Sequence, residues 1–263
     1  MSDLQDRMRS LFGLTSEVEA YQTIHSQEVR YKNFTRRIDY KVPFEKLIPF
    51  MEQSKKLIRT KSSRPKENTE SNIGRSLRRT NKKIYDIVHC NDFTLFITFT
   101  FDPKKTKDRY SPRVVKRQMR NWLKNQQRRY GKFSYLIVPE RHKDGALHFH
   151  ALFAGYTGKL VDSGKKRHGK TSYNLTGYTL GHTQASIIDD SQKAMNYLRK
   201  YITKDMPLFP GKHRYWASKG LRRPQVIDNP PPWDSNKTPL RAYENEYCVQ
   251  ADFARDSGGG DEA

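Results

Sequence analysis

The stretch from Ser134 to Phe153, SYLIVPERHKDGALHFHALF, leaves this chain few ways to fold. Two apolar-rich runs, Tyr135 to Glu140 and Ala146 to Phe153, flank Lys143-Asp144-Gly145. Asp-Gly between such runs is a strong short-range hairpin signal. The second strand carries His148-Phe149-His150. Residues two apart in a strand point to the same face, so both imidazoles project one way and Phe149 the other. Two histidines on one rigid face make half of a metal site.

Strand parity offers a third ligand. With a three-residue loop and Gly145 in the left-handed conformation, His142 pairs with Ala146 and Glu140 sits opposite His148. A two-residue loop puts Glu140 on the other face, because a slip of one residue reverses every side chain. His142 shares the face in the first case and is the reserve ligand. Alone, a bare His-x-His reads as ordinary strand residues rather than as a metal site; the hairpin context and Glu140 are what favour the metal reading.

The strongest strand lies upstream. Phe93 to Phe101, FTLFITFTF, alternates Phe93, Leu95, Ile97, Phe99 and Phe101 with Thr94, Phe96, Thr98 and Thr100. One face suits a core, and the other is polar enough to line a site. Before it, Ser71 to Cys90 reads as a basic amphipathic helix. After it, Ser111-Pro112 reads as an N-cap and first helical residue, with a helix to about Tyr130 stopped by Gly131. Strand, helix and hairpin in this order predict an α+β fold, with helices packed on one face of an antiparallel sheet.

Residues 154–182 read as a long Gly- and Lys-rich connection. Within it, Gly164 to Thr171 matches the nucleotide-binding pattern G-x-x-x-x-G-K-[ST]. That loop needs a buried strand before it and a helix after it. The Gly, Thr and Tyr residues that follow do not make a helix, so a basic loop over a DNA backbone is the better reading. His182 to Ile188 reads as a strand. Ser191 then caps a helix running to about Asp205. On it stands Tyr197-x-x-Lys200-Tyr201-x-x-Lys204, and residues four apart share one helix face. Ala194, Leu198 and Ile202 run beside the tyrosines, so by themselves the rings read as the edge of a core rather than as catalytic groups.

Charge narrows the partners. The chain has 263 residues, with 50 Lys+Arg against 28 Asp+Glu, a net +22, and 12% aromatic residues. That suits binding to nucleic acid, where Lys and Arg displace counterions from phosphates. No apolar run approaches the roughly 20 residues that span a bilayer, no signal peptide is evident, and no strongly amphipathic helix with an aromatic edge favours a membrane surface. Cys90 and Cys248 have no metal spacing and form no disulfide framework, so a reducing cytoplasm is expected.

In combination, these motifs resemble the HUH endonucleases, in particular the rolling-circle replication initiators of phages and small plasmids. The family's three motifs stand in order as FITFTFDP, ERHKDGALHFHALF and YLRKYITK, flanked by RTNKKIYDIVHCNDF and RYWASKGLRRP. The resemblance spans Ser71 to Pro224. It implies a ferredoxin- or RRM-like sheet of about five strands, with the tyrosine helix over the metal face. It implies Mg²⁺ or Mn²⁺ on His148, His150 and Glu140; by ligand preference alone the donor set also suits Zn²⁺. Tyr197 and Tyr201 are the implied nucleophiles, with Lys200 and Lys204 as assisting cations. Single-stranded or origin DNA is the implied substrate, a host helicase and polymerase the implied partners, and the host cytoplasm the location. Relaxases place the tyrosine ahead of the histidines, and single-tyrosine transposases are more compact. A non-catalytic DNA-binding protein on the same sheet is the alternative from another class. The expected layout is a basic, partly flexible extension over 1–70, the endonuclease domain over 71–225, and a C-terminal extension over 226–263 with a disordered end.

Overall fold

The structure is a computed structural model that describes residues 21–47, 70–167, 169–211, 213–232 and 236–255. Residues 1–20 and 48–69 of the expected basic extension, and the expected disordered tail over 256–263, lie outside the described residues. The described chain is α+β and divides into two units: residues 30–34 with 70–225, and residues 21–29, 35–47 and 226–255.

The larger unit holds the expected elements. Helix α1 is Glu70–Cys90, strand β3 Leu95–Phe99, helix α2 Pro112–Tyr130, strand β4 Ser134–Arg141 and strand β5 Leu147–Ala154. Strands β6 (Leu160–Arg167), β7 (Lys170–Leu175) and β8 (Thr183–Ile187), helix α3 (Ser191–Arg199) and strand β9 (Trp216–Ala217) follow. The sheet order is β6-β7-β8-β3-β5-β4-β9, so seven strands stand where about five were expected. The β6–β7 hairpin accounts for part of the excess. The sequence reading treats 154–182 as a connection because lysines interrupt its alternation. Charged residues are what an edge strand such as β6 carries against unwanted pairing. The nucleotide-binding pattern falls on the turn of this hairpin and runs into a strand, not a helix.

Ser111 caps α2 as expected, its hydroxyl accepting from Val114 N at 3.4 Å, with Pro112 first in the helix and Gly131 beyond its end. Val115, Met119, Trp122 and Leu123 of α2 cover Leu95, Ile97 and Phe99 of β3 and Phe149, Ala151 and Phe153 of β5. The helices do not all lie on one face. Ile84, Ile87 and Val88 of α1 pack with Ala194, Met195 and Leu198 of α3 against Phe96, Leu136, Val138 and Leu152. The even-numbered side of β3 is therefore half core, and Phe93 joins this second cluster instead of continuing the Leu95 row. A sheet covered on both faces reads as a nearly continuous apolar run, as β5 does.

The face beneath α1 and α3 is apolar at one end and polar at the other. Register sets the polar end. Thr98 pairs with His150 on one side and Gln184 on the other, while Glu140 pairs with His148.

In the smaller unit, β1 (Tyr21–Arg30), β2 (Phe34–Leu47), β10 (Gln225–Asp228), β11 (Arg241–Glu244) and β12 (Cys248–Ala254) form a second sheet in the order β10-β1-β2-β12-β11. Phe44 and Leu47 belong to β2. Arg36 grips Asp252 with two hydrogen bonds, at 2.7 and 2.9 Å. Pairing between segments so far apart in the chain leaves no local signature.

Candidate active site

The β4–β5 hairpin positions the candidate ligands. Gly145 has φ 84°, the left-handed region open to glycine. His142 N donates to Ala146 O, and Gly145 N to His142 O, both at 2.8 Å. Asp144 Oδ1 accepts from Ala146 N at 3.0 Å. The loop thus has the three-residue form, and Glu140 shares its face with His148 and His150.

His150 is the most enclosed of the set, with 4% of its side chain exposed. Its Nε2 lies 2.6 Å from Glu140 Oε2, and its Nδ1 3.3 Å from Thr98 Oγ1. The bond from His150 holds the Glu140 carboxyl below its usual range, against the opposing effect of partial burial. His148 turns the other way and stacks on His142 at 4.6 Å and 10°. Burial first, then the neighbouring His142, pushes the His148 imidazole below its usual value.

A metal fits this donor set. At neutral pH the depressed groups are a carboxylate and a neutral imidazole, the forms that bind a divalent ion. Glu140 Oε2 and His150 Nε2 hydrogen-bond to each other, an arrangement an ion would replace by binding both, and Thr98 engages the second ring nitrogen of His150, as outer partners of ligating histidines do. Among the described residues, no three His, Cys, Asp or Glu side chains are already gathered as a closed metal cluster. His148 stacks on His142 and takes no part in the Glu140–His150 hydrogen bond.

The tyrosines come from α3. Its N-cap is Asp190, one residue before the expected Ser191, because the Asp190 carboxylate accepts from Gln192 N at 2.7 Å and Lys193 N at 3.1 Å. Regular helix stops at Arg199, well short of Asp205. Beyond it the bonds become i to i+3: Tyr201 N to Leu198 O and Ile202 N to Arg199 O, both 3.1 Å. β-branched Ile202 and Thr203 and the restriction before Pro207 disfavour a longer helix. The tighter winding of this turn, with Ile202 and Met206 buried as anchors, brings Tyr201 down onto the sheet. Its ring stacks on His150 at 3.5 Å and 11°. Tyr197 meets Phe96 edge-on at 4.9 Å and Tyr201 at 5.5 Å. Lys200 Nζ lies 5.1 Å from the Tyr197 ring centre, whereas Lys204 is exposed in the following turn.

The structure therefore brings Glu140, His150, Tyr197, Tyr201 and Lys200 together, with His148 beside them and Lys204 apart. Thr98 and Phe96 complete the site; their even-numbered parity in β3 was the signal. Asp190→Ala removes the cap of the tyrosine helix. It should cost about 1 kcal/mol and lower the melting temperature by roughly 2–4 °C, read by thermal denaturation.

An α+β sheet bearing a His/Glu pair under two tyrosines is one class of site, and the comparisons point to one family. Residues 94–206 match the family of the replication-associated protein ORF2. The match covers a little under half of the chain and contains every candidate residue above. It supports a Rep-type, replication-associated protein. No curated protein and no solved structure matches the chain. Among the described residues, no helix is long and apolar enough to cross a membrane.

Proposed function

We propose that this chain starts rolling-circle replication by nicking single-stranded DNA through a covalent tyrosine intermediate. The observation that carries the reading is the Tyr201 ring stacked on the face of His150, whose Nε2 is engaged by Glu140. Nucleophile and phosphate-binding groups are thereby held at one point, the proximity that transfer chemistry needs.

In the proposed step the Tyr201 oxygen attacks phosphorus and the bond to the 3′ oxygen breaks. The products are a 5′-phosphotyrosine and a free 3′-OH. A phenol near pKa 10 is only about 0.1% ionised at pH 7, so cationic surroundings such as Lys200 favour the attack. Mg²⁺ or Mn²⁺ held by Glu140, His150 and His148 would supply Lewis-acid stabilisation of charge at the phosphate oxygens. No water is consumed, so the phosphodiester energy stays in the tyrosyl link. Tyr197 stands close enough to serve a second strand transfer that rejoins the ends without ATP. The freed 3′-OH primes a host polymerase, and a host helicase separates the strands.

The test uses single strands from the replicon that encodes the chain, labelled at the 3′ end. With Mg²⁺ or Mn²⁺, part of the label should move to a protein adduct stable in SDS, and the released fragment should be extendable by a polymerase. A chelator should abolish both. If binding persists and no strand yields an adduct with either ion, the protein is a DNA-binding protein and not a nickase.

A further inference from the structure

Next to the tyrosines, a pocket of about 240 Å³ opens between the sheet and the start of α3. It touches the candidate site through three shared residues, Phe96, Thr98 and Tyr197. Phe96 and Tyr197 provide aromatic surface at right angles to each other. Gln184 and Ser186 of β8 line it from the sheet, in register with Thr98 and Phe96. The rim carries Lys170 and Lys193 but also Asp189 and Asp190. Lys170 is paired with Asp189, and Asp190 caps the helix. With two charges of each sign, this rim does not attract a phosphate. It suits a flat, uncharged ring with hydrogen-bonding edges.

We infer that this pocket seats one unstacked nucleobase of the single strand next to the scissile phosphate, with its ring against Tyr197 or Phe96 and its edge on Gln184. The inference rests on the proposed nicking of single-stranded DNA. Single-strand binding sites recurrently stack bases on aromatic side chains and read their edges with amide groups. A carboxamide carries both a donor and an acceptor, so it can discriminate among base edges. The base thereby fixes which phosphate lies over His150, and Gln184 and Ser186 act as specificity residues rather than catalytic ones.

The test reads binding in the absence of cutting. In a Tyr197→Phe/Tyr201→Phe background, both rings remain and neither can attack. Fluorescence anisotropy with the single strands dA12, dC12 and dT12 should show one base favoured by roughly 5-fold or more. Gln184→Leu should shrink that preference to about twofold. Ser186→Phe, which fills the pocket, should weaken the favoured strand by roughly tenfold; thermal melts check that each variant is folded. Absence of any base preference overturns the inference, as does a preference that both variants leave intact. The adduct assay with unsubstituted protein separates the two readings. Adduct formation with unchanged base preference sinks the pocket and leaves nicking standing. A preference that the pocket variants erase, without any adduct, does the reverse.

Discussion

Tyr201→Phe should reduce covalent adduct formation by roughly 10³-fold or more, because a nucleophile cannot be replaced by its surroundings. The substitution removes one oxygen and keeps the ring. The stack on His150 at 3.5 Å and the edge contact with Tyr197 at 5.5 Å need only the ring, so the fold and DNA binding should be preserved. Tyr197→Phe should leave the first nick largely intact and slow the second transfer, since Tyr197 leans on Phe96 and not on His150. Gel analysis of adducts on 3′-labelled strands, alone and in the double variant, reads all of this. Loss of the first adduct in Tyr197→Phe with retention in Tyr201→Phe would reverse the assignment. An adduct in the double variant would place the nucleophile elsewhere.

His150→Ala should act twice. The imidazole is buried between Tyr201, Thr98 and Glu140. Its removal leaves a cavity, at a cost of about 2–4 kcal/mol. For a domain of this size that lowers the melting temperature by roughly 5–12 °C. Adduct formation should disappear as well. A loss of activity could then reflect damage to the fold, so the companion variant is Glu140→Gln. It keeps size and hydrogen bonding to His150, and the Glu140 side chain is already 36% exposed, so stability should change little. Its adduct yield should nonetheless fall about 10²-fold, with a higher requirement for Mn²⁺. If Glu140→Gln nicks like the parent, the carboxylate is not a ligand.

The residues differ in how far their places could be read from the chain alone. Glu140 opposite His148 follows from strand parity once Asp144-Gly145 makes a three-residue turn, and the register agrees. The cap at Ser111 and the stop at Gly131 are equally local. The tyrosine helix shows where local reading ends. Helical spacing from Ala194 to Ile202 predicts continuous helix to Asp205, yet the turn tightens after Arg199 because Ile202 and Met206 are drawn into the core. The β6–β7 hairpin escaped because lysines mask its alternation, and the second sheet because β1 and β2 are joined there to β10 and β12 from the far end of the chain.

Sequence alone determined the α+β class, the hairpin, the shared face of His148 and His150, and the order of the motifs. These depend on periods of two and of 3.6 residues and on turn chemistry, all encoded within a few neighbours. Tertiary structure decided the rest. It set helices on both faces of a seven-stranded sheet, turned His148 toward His142, and laid Tyr201 on His150. Those outcomes depend on which distant surfaces bury one another, and no local period records that choice.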